Sequence, residues 1–180
     1  MKPQELSNSL WGWSKLGWLF DEQLQSAAAA AIAETAAAMN AQEVSNTIYA
    51  CSVSGWKLGK AARTALRDAL LKHLQATLEH FQQMPAGQHA TTGQQLAAAM
   101  EPQHVANSLW GWARLGQQLD GDLAAVADAA LLRMLPSMNG MDITQIQQEY
   151  NTEGWQLSPV AATALQEAAQ RVKLTPPAAA

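Results

Sequence analysis

The sequence predicts an all-α protein, an α-solenoid of stacked helix-turn-helix units, about four of them and each of 38 residues. Three observations predict it. Good helix formers, above all alanine and leucine, dominate the chain, and runs of Val, Ile and Thr that would suggest strands are missing. The decapeptide Asn-Ser-Leu-Trp-Gly-Trp-Ser-Lys-Leu-Gly at 8–17 returns at 107–116 with two changes, Ser14 to Ala113 and Lys15 to Arg114. Glycines recur where a helix has to stop, at Gly17, Gly55, Gly116 and Gly154.

Superposing the decapeptides sets Met1 against Met100, and weaker copies open at Met39 and Met138. The units are then 1–38, 39–82, 100–137 and 138–174, with a low-complexity insertion at 83–99 expected to be mobile and a tail at 175–180 expected to be disordered. In register, Leu6, Val44, Val105 and Ile143 form one column; Leu10, Ile48, Leu109 and Gln147 form the next, and Trp13, Cys51, Trp112 and Tyr150 a third. Their spacing of i, i+4 and i+7 is the apolar face of a helix. Pro3 and Pro102 stand at the first helical position, and Asn40 with Glu43 makes a capping box. The glycine column ends this first helix, because the C′ position favours a left-handed backbone.

A second helix follows in each unit. Asp21, Gly59, Asp120 and Ser158 are N-cap residue types, Pro159 follows the last of them, and Phe20, Leu58, Leu119 and Leu157 precede them as an apolar staple. In the second unit this helix is amphipathic through Leu66, Leu70, Leu71, Leu74 and Leu78, and it extends to about Gln83; elsewhere it is mostly alanine. One such hairpin cannot bury both faces alone, so neighbours must stack. The fourth unit, with Gln147, Gln148 and Glu149 where the first has Leu-Trp-Gly, reads as a polar cap or as a decayed copy.

The chemistry is narrow. Lys and Arg number 11 against 15 Asp and Glu, a net charge of −4, which argues against non-specific nucleic-acid binding. Cys51 is the one cysteine, so no internal disulfide or cysteine zinc site forms; it reads as a small core residue, and no metal or cofactor is expected. His73 and His80 share a helix face without a third ligand. No phosphate-binding glycine loop, nucleophile elbow or HExxH occurs, so an enzyme is not expected. No uninterrupted apolar run suits a membrane span, and Met-Lys-Pro-Gln-Glu-Leu-Ser-Asn does not read as a signal or transit peptide.

The 38-residue period with Leu6-Ser7-Asn8-Ser9-Leu10-Trp11 through Lys15-Leu16-Gly17 resembles the octotricopeptide repeat family of green-algal organelles. The pattern returns as Val105-Ala106-Asn107-Ser108-Leu109-Trp110 through Arg114-Leu115-Gly116, and more weakly from Val44-Ser45-Asn46 to Gly55. It covers residues 1 to roughly 173 apart from the insertion. The Pro-Pro-Pro-Glu-Trp start of that family's repeat is absent after Gly17, Gly55 and Gly116, and the pattern begins partway through, as expected of a fragment or a truncated gene product. The resemblance implies a solenoid that binds single-stranded organellar RNA in a chloroplast or mitochondrion. Its role would be in transcript stability, processing, translation or ribosome assembly, with other proteins of an RNA-processing or ribosomal complex as further partners.

Residues suited to such a role are polar and recur in register. Asn8, Asn46, Asn107 and Gln145 carry amides able to bond base edges, or else stabilise the fold by bonding a neighbouring backbone. Lys15 and Arg114 suit phosphates, or complement the C-terminal end of the first helix. Lys57, Lys60, Arg63 and Arg67 form the one concentrated basic stripe, a phosphate track or a solvated face. The tryptophans at Trp11 and Trp110, at Trp13 and Trp112, and at the turn in Trp18, Trp56 and Trp155 suit stacking on bases. Their spacing with Leu10, Leu109 and the glycines favours packing between helices instead, the turn tryptophans Trp18, Trp56 and Trp155 being the least committed. The alternative function is a protein–protein scaffold that uses the helical surface without contacting RNA.

Overall fold

The computed structural model describes residues 1–17, 20–83, 99–152 and 156–174, with the side chains of residues 150–152 and 174 excepted. Eight α-helices and no strand occur among them. They are α1 (Pro3–Lys15), α2 (Glu22–Thr35), α3 (Ala41–Val53), α4 (Lys60–Gln83), α5 (Pro102–Arg114), α6 (Gly121–Met134), α7 (Gly140–Thr152) and α8 (Pro159–Leu174). Short 3₁₀ turns at Ala36–Ala38 and Leu135–Ser137 lead into α3 and α7.

Each first helix starts on a reciprocal cap or a close variant of one. Asn40 Oδ1 accepts the Glu43 N–H at 2.9 Å while Glu43 returns a carboxylate to the Asn40 N–H at 2.9 Å. Asn139 and Asp142 repeat the exchange ahead of α7, at 3.0 and 3.2 Å. At α1 the Glu5 carboxylate accepts the Lys2 N–H at 2.9 Å, and at α5 the imidazole Nδ1 of His104 takes that place, accepting the Glu101 N–H at 3.3 Å. Capping thus follows one register, Glu5, Glu43, His104, Asp142, which satisfies N–H groups that have no helical partner.

Gly17, Gly55 and Gly116 end α1, α3 and α5 with φ of 67, 66 and 67°. After α3 the Trp56 N–H reaches back to the Cys51 carbonyl at 3.0 Å and the Gly55 N–H to Ser52 at 3.2 Å, a Schellman closure; Gln117 and Gly116 repeat it after α5 at 3.2 and 2.8 Å. Gly154 lies outside the described residues. Among the second-helix caps, Asp21 accepts the Leu24 N–H at 2.7 Å and Ser158 Oγ the Ala161 N–H at 3.2 Å. Asp120 departs from expectation. It stands just before α6, but its carboxylate turns to Arg67 and makes no cap bond.

The first members of the pairs pack side by side in chain order, α1 on α3, α3 on α5 and α5 on α7. The second members do the same, α2 on α4, α4 on α6 and α6 on α8, and each pair also packs internally. The core runs between these rows. Leu6, Val44, Val105 and Ile143 are buried, as are Leu10, Ile48 and Leu109, each aliphatic side chain contributing about 1.5–3 kcal/mol on burial. In α7 the buried residue is Ile146 and not Gln147, because a polar amide in that joint would lack partners. From the second helices come Ile32, Leu66, Leu70, Leu74, Leu123, Leu131 and Leu165. Leu58, Leu119 and Leu157 are buried where staples are expected, and Phe20 is half-buried.

One close approach fixes the spacing of α3 and α5. A Cβ on Gly111 would lie 2.9 Å from Ile48 Cγ2 and 3.2 Å from the Ile48 carbonyl oxygen, so only glycine lets these helices meet. Across the segment 84–98, which lies outside the described residues, the chain returns by the Met100 N–H donating to Thr77 Oγ1 at 2.8 Å. Residues 175–180, the expected tail, also lie outside. No described helix is long and apolar enough to cross a membrane.

Candidate nucleic-acid interface

The tryptophans divide. Trp56 and Trp112 are buried and Trp13 is half-buried, with Trp13 edge-on to Phe20 at 4.9 Å and Phe20 edge-on to Trp56 at 4.7 Å. The Trp11 column contradicts the expectation of core packing: Trp11 is 43% exposed and Trp110 is half-buried. The reason is helical phase. Trp11 stands one residue past the buried Leu10, and Trp110 one past Leu109, which rotates both rings by about 100° toward the open side of the row. Trp18 and Trp155 lie outside the described residues.

That open side carries an ordered set of side chains. On α1, Asn8, Trp11 and Lys15 stand at i, i+3 and i+7 and are exposed. On α5, Asn107, Trp110 and Arg114 keep the spacing. On α3, Asn46 and Tyr49 keep it, and Val53 replaces the cation. On α7, Gln145 holds the amide position and bonds Asn107 across the helices, Nε2 to Oδ1 at 3.3 Å.

Aromatic and cationic groups interlock along the row. Lys15 Nζ lies 5.5 Å from the Trp11 ring centroid and 4.7 Å from that of Tyr49, and donates to the Tyr49 hydroxyl at 3.2 Å. Tyr49 stacks on Trp110 with centroids 5.3 Å apart and planes inclined by 28°. The Arg114 guanidinium sits 5.0 Å from the Trp110 centroid and pairs with Glu149 at 3.2 Å. Chemically, this face offers amide donors and acceptors beside aromatic faces, with two cations at the C-terminal end.

The basic stripe on α4 is a separate group. Arg67 bonds Asp120 through Nε at 3.2 Å and Nη2 at 3.1 Å and approaches Asp68 at 3.5 Å, while Arg63 donates to the Gln117 side chain at 3.4 Å. Lys57 and Lys60 are exposed. The two arginines therefore tie α4 to the 117–120 turn. Spacing along the chain puts only Asp68 beside Arg67, because Asp120 is brought in by the fold.

Tyr49 is the residue that sequence reasoning missed. Its signal was its place in the Trp11 and Trp110 column. The sulfhydryl of Cys51 is buried and its pKa is pushed up to about 12 by loss of water, so it stays a protonated core group. His73 is buried, its Nε2 2.9 Å from the Met39 carbonyl oxygen. Among the described residues no three His, Cys, Asp or Glu side chains group as metal ligands would. Comparison with protein-family models, with curated proteins and with solved structures gives no match.

Proposed function

We propose that the chain is an α-solenoid of 38-residue helical repeats that binds single-stranded RNA along its row of first helices. The observation that carries this reading is the triplet of amide, aromatic ring and cation set at one spacing on α1 and α5, with α3 keeping the first two. The amides of Asn8, Asn46 and Asn107 suit base edges, the rings of Trp11, Tyr49 and Trp110 suit base faces, and Lys15 and Arg114 suit phosphates. The order in which the helices pack, each pair against the next, supports the solenoid. The octotricopeptide resemblance supports an organellar transcript as the target, in a chloroplast or mitochondrion, and a role in transcript stability, processing, translation or ribosome assembly. Lys57, Lys60, Arg63 and Arg67 stand apart from this repeated triplet, and Arg63 and Arg67 are tied to the 117–120 turn ahead of α6.

With a net charge of −4, binding is expected to be weak and salt-sensitive. Fluorescence anisotropy of a labelled single-stranded RNA, titrated at low and high salt, tests it. Binding at low salt that fades as salt rises is expected, and no binding at low salt overturns the reading. The second reading is a protein partner on the helical surface in place of RNA. A stable one-to-one complex with a defined protein, in the absence of RNA binding, would establish it.

A further inference from the structure

The three rings of the first-helix row differ in what already occupies them. Trp110 has Tyr49 stacked on it at 5.3 Å and Arg114 at 5.0 Å. Tyr49 has Trp110 and the Lys15 ammonium, the latter at 4.7 Å. Trp11 has that same ammonium at 5.5 Å, is 43% exposed, and pairs with no other ring among the described residues. So the Lys15 ammonium bridges Trp11 on α1 and the Tyr49 hydroxyl on α3, whose rings do not pair with each other, whereas Tyr49 and Trp110 are stacked.

Resting on the RNA-binding reading, we infer that the Trp11–Tyr49 gap is a clamp for a single nucleobase, with Lys15 as its displaceable occupant. A base entering there stacks on Trp11 and meets Tyr49, gaining the aromatic contact that the Tyr49–Trp110 pair denies it elsewhere in the row. The ammonium it displaces sits on a four-carbon stem, long enough to swing outward and meet the phosphate that enters with the base. Asn8 stands one turn before Trp11 and Asn46 one turn before Tyr49, so amides flank the gap on both helices and can address the base edge. Lys15 thereby has two states, bridging the Trp11 ring and the Tyr49 hydroxyl when the site is empty and neutralising a phosphate when it is filled. The clamp gives the row one principal anchoring position, at the α1–α3 joint, instead of three equal ones.

Short single-stranded RNA and an abasic oligonucleotide of the same length test this by anisotropy, with circular dichroism confirming that each variant is folded. Trp11→Ala is expected to weaken RNA binding by about five- to a hundredfold, the loss of one stacked base, with Trp11→Phe retaining most of the affinity. The abasic oligonucleotide is expected to bind wild type and Trp11→Ala alike. If wild type binds RNA and Trp11→Ala matches it, the clamp is wrong while the RNA reading stands. If wild type binds the abasic strand as tightly as RNA, bases are not read at all and the clamp likewise falls. If wild type binds neither, both readings fall.

Discussion

Tyr49 of α3 lies stacked on Trp110 of α5, ring centroids 5.3 Å apart, on the open side of the first-helix row. The pair joins two helices outside the core that Ile48 and Leu109 fill between them. A double-mutant cycle on Tyr49→Ala and Trp110→Ala should return a coupling of about 0.5–1.5 kcal/mol in urea unfolding. Additive single effects would mean that the rings contribute only through area burial.

Gly111 and Gly12 occupy one register and predict opposite outcomes. A methyl at Gly111 meets Ile48 Cγ2 at 2.9 Å and the rigid Ile48 carbonyl at 3.2 Å, so Gly111→Ala should cost about 1–3 kcal/mol. At Gly12 a methyl meets nothing within 4 Å, and Gly12→Ala should raise stability by about 0.4–1 kcal/mol through a less entropic unfolded chain. Denaturant midpoints at constant m-value measure both. Equal effects at the two sites would contradict the α3–α5 geometry.

His104 couples stability to pH. Burial holds its pKa below the ordinary 6.5, with the nearby Glu101 charge opposing. The neutral ring is also the form able to accept the Glu101 N–H at Nδ1. The folded state therefore binds the proton less readily than the unfolded chain. Stability is full above the unfolded pKa of 6.5 and falls as pH drops from there toward the lower folded value, where the loss levels off. His104→Gln keeps an acceptor at this cap and should flatten the slope between neutral and mildly acidic pH. Urea unfolding across that window decides it; a variant with the wild-type slope would place the effect in another group.

Arg67 and Lys15 separate the two cationic groups. The Arg67–Asp120 pair has an exposed carboxylate, so Arg67→Ala should cost no more than about 1 kcal/mol of stability. It should leave RNA affinity nearly unchanged. Lys15→Glu should weaken binding and lower the logarithmic salt slope by about 0.7 for the phosphate no longer neutralised. The reverse ranking in anisotropy titrations would move the interface to α4.

Much of the architecture was legible because it is written in local chemistry. Prolines at helix starts, glycines at left-handed C′ positions and the Asn40–Glu43 box act within a few residues, so spacing alone located them. What spacing missed depends on which neighbour arrives. Asp120 reads as a cap until the fold delivers Arg67 to it. His104 does a carboxylate's work in its cap through a ring nitrogen, which no capping pattern anticipates. Trp11 looks like core beside Leu10, yet the two lie about 100° apart around α1, and an indole is conspicuous in composition whichever way it faces. Tyr49 was invisible singly and becomes meaningful through its interactions with Lys15 and Trp110 from two other helices.

The most direct test of the central claim is ultraviolet crosslinking of a single-stranded RNA to the intact chain, with the modified peptides located by mass spectrometry. The account predicts adducts within α1, α3 and α5, concentrated at Trp11 and Tyr49. Adducts confined to Lys57–Arg67, or none under conditions where RNA is bound, would contradict it.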